Sequence, residues 1–224
     1  MTNSGNGHNA RRIAERLLVT AVAIGLWFLT QSLISKRPFP SSGIGDGLHT
    51  LTAPLNQYFL AHSAATNVLL VLSTGVIDLL AIFVLAEWIF GRSVRPLMGL
   101  GILMGLRQAM EALCALPQPA NMIWHYPGFP SILVTYGVAN DFFFSGHTAV
   151  AVFGATELAR MGRRWLTIVA VGLVLFEITT VLTLRAHYTM DVFTGAITAL
   201  YVAHLCDRIS PPLDRKLARY LTVE

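Results

Sequence analysis

Residues 67–90, NVLLVLSTGVIDLLAIFVLAEWIF, run for 24 positions with two acidic side chains and no basic one. A helix needs about 20 mostly apolar residues to cross the hydrocarbon core of a bilayer. Further apolar stretches occupy 16–35, 96–116, 142–160, 165–184 and 191–209. Only 12% of the chain is charged, against about 25% in a typical soluble domain, so lipid is the solvent that this pattern suits. In lipid the backbone finds no water to bond, and each span must satisfy its own N–H and C=O groups as a helix. Length separates helix from strand where apolar periodicity does not. The expected fold is all-α: a polytopic membrane protein, a six-transmembrane-helix bundle. It makes one integral membrane domain over 1–224, with cytoplasmic tails at 1–15 and 210–224. No internal repeat or low-complexity tract divides it. Within the third span, Gly101 and Gly105 form a GxxxG pair, which permits close helix contact.

Lys and Arg in short loops mark the cytoplasmic side. With the N-terminus inside, twelve of the sixteen basic residues are cytoplasmic, from Arg11, Arg12 and Arg16 to the cluster Arg208–Arg219. The exceptions are Lys36, Arg37, Arg107 and Arg185. The first apolar run continues to about Ser35 without an A-x-A-like cleavage pattern, which predicts a retained span rather than a signal peptide. Two outer loops are long. The first, 36–66, carries Pro38, Pro40 and Gly43 and then LNQYFLAHSAA, expected as an amphipathic helix along the interface. The second, 117–141, carries Trp124, Tyr126 and Tyr136, expected at headgroup level. His49, His62 and His125 fall in these loops and read as solvated. Cys114 and Cys206 offer neither a disulfide framework nor metal-ligand spacing. No metal, no cofactor and no nucleic-acid partner is expected, and the oligomeric state is open.

Against this apolar background DFFFSGHT, 141–148, opens the fourth span, and LRAHYTMDV, 184–192, leads into the sixth. Both begin on the outer side. His147 and His187, forty residues apart, thus arrive at one membrane depth. Asp191 lies four residues after His187, on the same face of a helical turn. A carboxylate beside imidazole orients the ring and favours its charged form. One histidine then serves as nucleophile and the other as acid and base for an alcohol oxygen. A helix N-terminus such as Ser145–Gly146 suits phosphate oxygens, and Arg107 and Arg185 can neutralise an anion. The chemistry suggested is metal-free phosphoryl transfer through a phosphohistidine. The inert reading is a helix-end histidine and a packing salt bridge. Ionisable groups at the membrane edge are costly and point to function. Glu111, four after Arg107, either pairs with it or faces substrate. Glu87 and Glu157 lie near inner ends, where they reach water, and Asp78 and Glu177 offer a proton path to a transporter reading.

DFFFSGHT and HYTMDV resemble the paired motifs D-x3-S-G-H-T and H-Y-T-x-D-V of the sphingomyelin synthases, in the superfamily of type 2 phosphatidic acid phosphatases. RQAMEALCALPQP, in which Arg107 precedes Leu116, Pro117 and Pro119, is similar to their R-x8-T-L-P-x-P run, with Ala115 in place of Thr. It also resembles the plant phosphatidylcholine:diacylglycerol cholinephosphotransferases, which share an Arg two residues before the histidine, here Arg185. The likeness covers about 107–204. It implies His187 as nucleophile, Asp191 as its activator and His147 as acid and base. Asp141, Ser145, Gly146, Arg107, Arg185, Tyr188 and Glu111 are implied around the substrate. The phosphatase pattern fails where this one holds: Trp88 stands where its Lys belongs, Phe144 replaces the Pro of P-S-G-H, and position 181 is Val. Ala139 and Asn140 replace the Cys-Gly of the synthases, and Ala196 their last Tyr.

The resemblance predicts a membrane enzyme moving a phosphocholine-like headgroup from a phospholipid to a lipid alcohol such as diacylglycerol or ceramide, on the non-cytoplasmic side. In a bacterial inner membrane that side faces the periplasm. The alternatives are a lipid phosphate phosphatase with water as acceptor, and a transporter in which Asp78 or Glu177 matters and the histidines do not.

Overall fold

The computed structural model describes residues 4–36, 44–137 and 141–222. Arg37, Pro38, Pro40, Gly43, Ala139 and Asn140 lie outside them. Eight helices follow in order: α1 Ser4–Ile34, α2 Gly47–Leu51, α3 Ala53–Ala61, α4 Ser63–Phe90, α5 Arg95–Leu113, α6 Gly146–Ala159, α7 Arg164–Thr183 and α8 Thr189–Thr222. Among the described residues there is no strand. The segments expected as tails are largely helical, since α1 reaches back to Ser4 and α8 runs on to Thr222.

Four helices, α1, α4, α7 and α8, are long and apolar enough to cross a membrane. The expected count was six. The fourth span, placed at 142–160, is helical only over 14 residues, about 21 Å at 1.5 Å per residue and short of the ~30 Å hydrocarbon core. Its start is set locally: the Ser145 side chain accepts from the Thr148 N–H, satisfying a donor that the first turn leaves free. α5 carries Arg95, Arg107 and Glu111 within its 19 residues, which lowers its apolarity. It begins with a proline in its first turn, Pro96, where the missing N–H costs nothing. It ends at Cys114, in extended backbone, ahead of Pro117 and Pro119.

α6 is the centre of the bundle. Every residue from Thr148 to Ala155 is buried, and the core joins α6 to α4, α5 and α8 through Leu80, Leu103, Phe153 and Val202. Small residues permit this. A Cβ on Gly99 would stand 2.2 Å from the Phe153 ring, and one on Gly195 2.7 Å from the Ser145 carbonyl oxygen. Dispersion contacts of this closeness hold helices together where lipid offers no hydrophobic contrast. α1 instead lies at the edge and exposes Leu18, Val22, Leu26, Leu29 and Leu33. α3 exposes Leu55, Tyr58 and Leu60 and buries Asn56, whose Nδ2 donates to the carbonyls of Thr183 (2.9 Å) and Asn121 (3.2 Å).

The loop after α5 folds back into the bundle. Asp78, about 22 Å along α4 from Ser63 at 1.5 Å per residue, accepts from the N–H groups of Ile132 (2.9 Å) and Leu133 (3.1 Å) and from the Ser131 hydroxyl (3.4 Å). Irregular backbone at such depth is tolerated where it is buried in protein. Asp78, weighed above as one end of a proton path, is thus an anchor for this loop. Glu177 accepts from Ser73 at 2.7 Å. The opposite end of the bundle closes on ion pairs. Arg95 pairs with Glu157 and, at 3.0 Å, with Asp207, which also takes Arg160 at 2.6 Å. Glu157, expected to reach water, is buried in this network, while Glu87 is exposed.

Candidate active site

The first turn of α6 and the first turn of α8 are joined directly. The Ser145 N–H donates to the Asp191 carbonyl at 3.1 Å, and Gly195 leaves room for that approach. His147 and His187 thereby face one cleft, their ring centroids 6.2 Å apart. The cleft is also lined by Arg107, Asp141, Gly146 and Trp124, and by the apolar Trp27, Met104 and Leu133.

His187 is buried, and its Nδ1 donates to the Phe142 carbonyl at 3.0 Å. That bond fixes the tautomer and leaves the lone pair on Nε2. Asp191 was expected to orient the ring directly. Its Oδ2 lies 3.8 Å from Nδ1 and accepts the Tyr188 N–H at 2.8 Å. This is the reach-back half of a capping box, three residues into α8. Asp191 therefore supplies charge beside the ring and fixes the helix start, while a carbonyl holds the imidazole. His147 meets the edge of Trp124 at 5.0 Å and 89°, and its Nε2 is buried without a hydrogen-bond partner.

Arg107 is 5% exposed. Its Nη2 bonds Glu111 (2.6 Å) and the Asp141 carbonyl (3.0 Å), and its Nε donates to the Phe144 carbonyl (3.2 Å). Of the two readings of Glu111, pairing with Arg107 is the arrangement present. A Cβ on Gly146 would stand 2.8 Å from Arg107 Nε, so the glycine lets the guanidinium lie against the start of α6. Asp141 sits 3.5 Å from Arg107 Nη2 and accepts from Gln31 (3.1 Å) and Thr135 (3.3 Å).

Four residues expected around the substrate do not line the cleft: Ser145 and Glu111, both fully buried, and Arg185 and Tyr188. Arg185 ends α7 with φ +55°, and its guanidinium donates to the carbonyls of Ala120 (2.7 Å) and His49 (3.4 Å). Tyr188 donates its hydroxyl to the Pro117 carbonyl at 2.9 Å. Burial pushes its phenol above the ordinary value, so it stays a neutral donor.

Sequence reasoning missed three contributors. His49, read as solvated, is buried; its Nε2 donates to the His187 carbonyl at 2.9 Å, and its ring stacks on Tyr188 at 5.5 Å. Asp46 accepts from the N–H and the hydroxyl of Thr189, both at 2.5 Å. Burial alone would raise the Asp46 carboxyl, but the bonds from Thr189 and His49 hold it below the ordinary carboxylate value. Gln31 brings α1 to the site. Flanked by Thr30 and Ser32, it carries no sequence signal that sets it apart. His62 and His125 are exposed, as expected. Among the described residues no cluster of three or more His, Cys, Asp or Glu side chains is placed to hold a metal ion.

Comparison with known families matches residues 46–208 to the family described as AtPDCT1/2. No curated protein and no solved structure matches the chain. The matched segment opens at Asp46 and takes in both histidines and Arg107.

Proposed function

The chain belongs to the AtPDCT1/2 family, the phosphatidylcholine:diacylglycerol cholinephosphotransferase-like membrane lipid enzymes, and from that premise we propose that it moves a phosphocholine-like headgroup between lipids by way of a phosphohistidine. The observation that carries this reading is the pair of imidazoles 6.2 Å apart in one cleft.

His187 Nε2, free because Nδ1 is bonded to Phe142, attacks the phosphorus of the donor phospholipid. The P–O bond to the glycerol oxygen breaks, and protonated His147 delivers its proton to that oxygen, releasing diacylglycerol. The hydroxyl of an acceptor, diacylglycerol or ceramide, then gives its proton to His147 and attacks the phosphohistidine. The N–P bond breaks and both rings return to their starting state. Asp191, 3.8 Å from His187, stabilises the charge that develops on the ring. Arg107, lying against the start of α6, neutralises the phosphoryl oxygens, and the N-terminal turn of α6 adds its dipole.

The apolar wall of Trp27, Met104 and Leu133 favours a lipid hydroxyl over water. Six membrane passages are completed by α5 and by α6 together with residues 141–145, with both termini cytoplasmic and the cleft on the outer side.

Purified protein in vesicles, given a headgroup-labelled phospholipid and unlabelled diacylglycerol or ceramide, is expected to place the label on the second lipid. Release of free phosphate or phosphoalcohol alone would make it a hydrolase. His187→Ala is expected to abolish transfer, and full activity in that variant would remove the nucleophile. A Cys at position 143 reacting only with a reagent on the cytoplasmic side would overturn the orientation.

A further inference from the structure

A second cavity of about 360 Å³ lies between α1 and α5 and opens beside the cleft. Besides Trp27, its hydrogen-bonding side chains among the described residues are Thr20, Thr30 and Gln108. From Leu97 to Gln108 it follows α5 for about 16 Å at 1.5 Å per residue, the thickness of roughly one hydrocarbon leaflet. Gly101 and Gly105 form its floor. A Cβ at either meets nothing within 4 Å, so this GxxxG pair, which permits close helix contact, here keeps a groove open.

The groove is continuous with the histidine cleft, for Trp27, Met104 and Leu133 line both. At that junction polar atoms lack partners. Trp27 Nε1, a donor, and Gln108 Oε1, an acceptor, are buried with no hydrogen-bond partner among the described residues, a costly state in an apolar setting. A donor suits an ester carbonyl, and an acceptor suits a hydroxyl. The sequence along the wall is thus apolar channel, then a donor and an acceptor, then the two imidazoles and Arg107.

We infer that the α1–α5 groove holds an acyl chain of the glycerolipid whose headgroup or hydroxyl lies at His147 and His187, with the ester region at Trp27 and Gln108. This rests on the lipid-transfer reading for the identity of the reacting end. The groove itself is read from its own lining.

The test is photo-crosslinking of the full chain in lipid nanodiscs containing a phosphatidylcholine with a diazirine in one acyl chain. Adducts are expected on α1 and α5 facing the groove. Gly101→Leu, which fills the open space, is expected to lower their yield at least five-fold. It is also expected to lower the ratio of transfer from long-chain to dihexanoyl donor at least five-fold, because a short-chain donor needs only the cleft. Gly105→Leu, one turn on, should do the same and provides a second variant if one fails to fold. Gly172→Leu, at an open position on α7, should move neither readout. Adducts absent from the groove, or adducts and chain-length ratio unmoved by both fillings, would overturn the inference. So would Gly101→Leu splitting a dimer with the ratio unchanged, which would give the groove to a second copy. Adducts mapping to the groove in a protein that transfers no headgroup would support the acyl-chain site while removing the transferase reading.

Discussion

A methyl group at position 195 tests how closely the two histidine-bearing helices must meet. A Cβ there stands 2.7 Å from the Ser145 carbonyl oxygen and 3.6 Å from the Ala149 nitrogen. These are backbone atoms that cannot rotate away. Overpacking of this kind costs about 1–3 kcal/mol, and relief requires α6 to move off α8, lengthening the Ser145–Asp191 bond. Gly195→Ala is therefore expected to lower thermal stability and to slow headgroup transfer by an order of magnitude or more, since small misplacements at a reacting centre are amplified. Gly172→Ala, in open space, is expected to be neutral or up to about 1 kcal/mol stabilising. At this scale the sequence was informative wherever chemistry sat on helix spacing. His147 and His187 face one cleft and Arg107 pairs with Glu111 four residues on, whereas Asp191, expected to orient the His187 ring, accepts from the Tyr188 N–H instead. The sequence was uninformative where a loop residue turns inward. His49 looks like any loop histidine until the fold brings Tyr188 against it, and nothing near Asp46 in the sequence names Thr189 as its partner.

Among the elements, α2 is the one that local propensity does not explain. Five residues are too few to persist as an isolated helix. Asp46 caps it, accepting from the N–H groups of Leu48 (3.0 Å) and His49 (3.1 Å), and ties it to Thr189 at the start of α8. The folded carboxyl is held below its unfolded value, so its contribution is fully present above the unfolded pKa of about 3.9. That contribution is lost as pH falls through the depressed folded value. Asp46→Ala is expected to cost about 1 kcal/mol for the cap, more with the Thr189 bonds. The gap between wild type and variant should be flat above about pH 5 and close on acidification, as chemical denaturation across pH would record. A gap independent of pH would mean that the carboxylate charge does not matter. The same capping logic explains why α6 starts at Gly146 rather than at 142: apolarity marks where lipid is tolerated, but Ser145 decides where the helix begins. α3 turns its leucines outward and Asn56 inward.

At the scale of the molecule, the histidine cleft and the Arg95 network occupy opposite ends of α6. Glu157 lies eleven residues from Gly146, about 16 Å along the axis at 1.5 Å per residue. The alternation of basic loops made the two ends legible. The depth to which residues 131–134 fold back was not, because it depends on Asp78 meeting amides more than fifty positions away. This division of labour has a measurable consequence. Arg95 is 4% exposed and Glu157 8%, and breaking one side of a buried pair costs about 3 kcal/mol, even though Asp207 still holds the Arg95 Nε. Glu157→Gln keeps the shape and removes the charge. It should lower the thermal midpoint and the yield of folded protein, while headgroup transfer per folded molecule stays within about two-fold of wild type, because packed helices transmit such a change only if they have a second arrangement to adopt. Transfer per folded molecule falling ten-fold or more would show that the ion pairs at one end set the spacing of the histidines at the other. The central helix would then act as a coupled rod rather than as a scaffold with two independent ends.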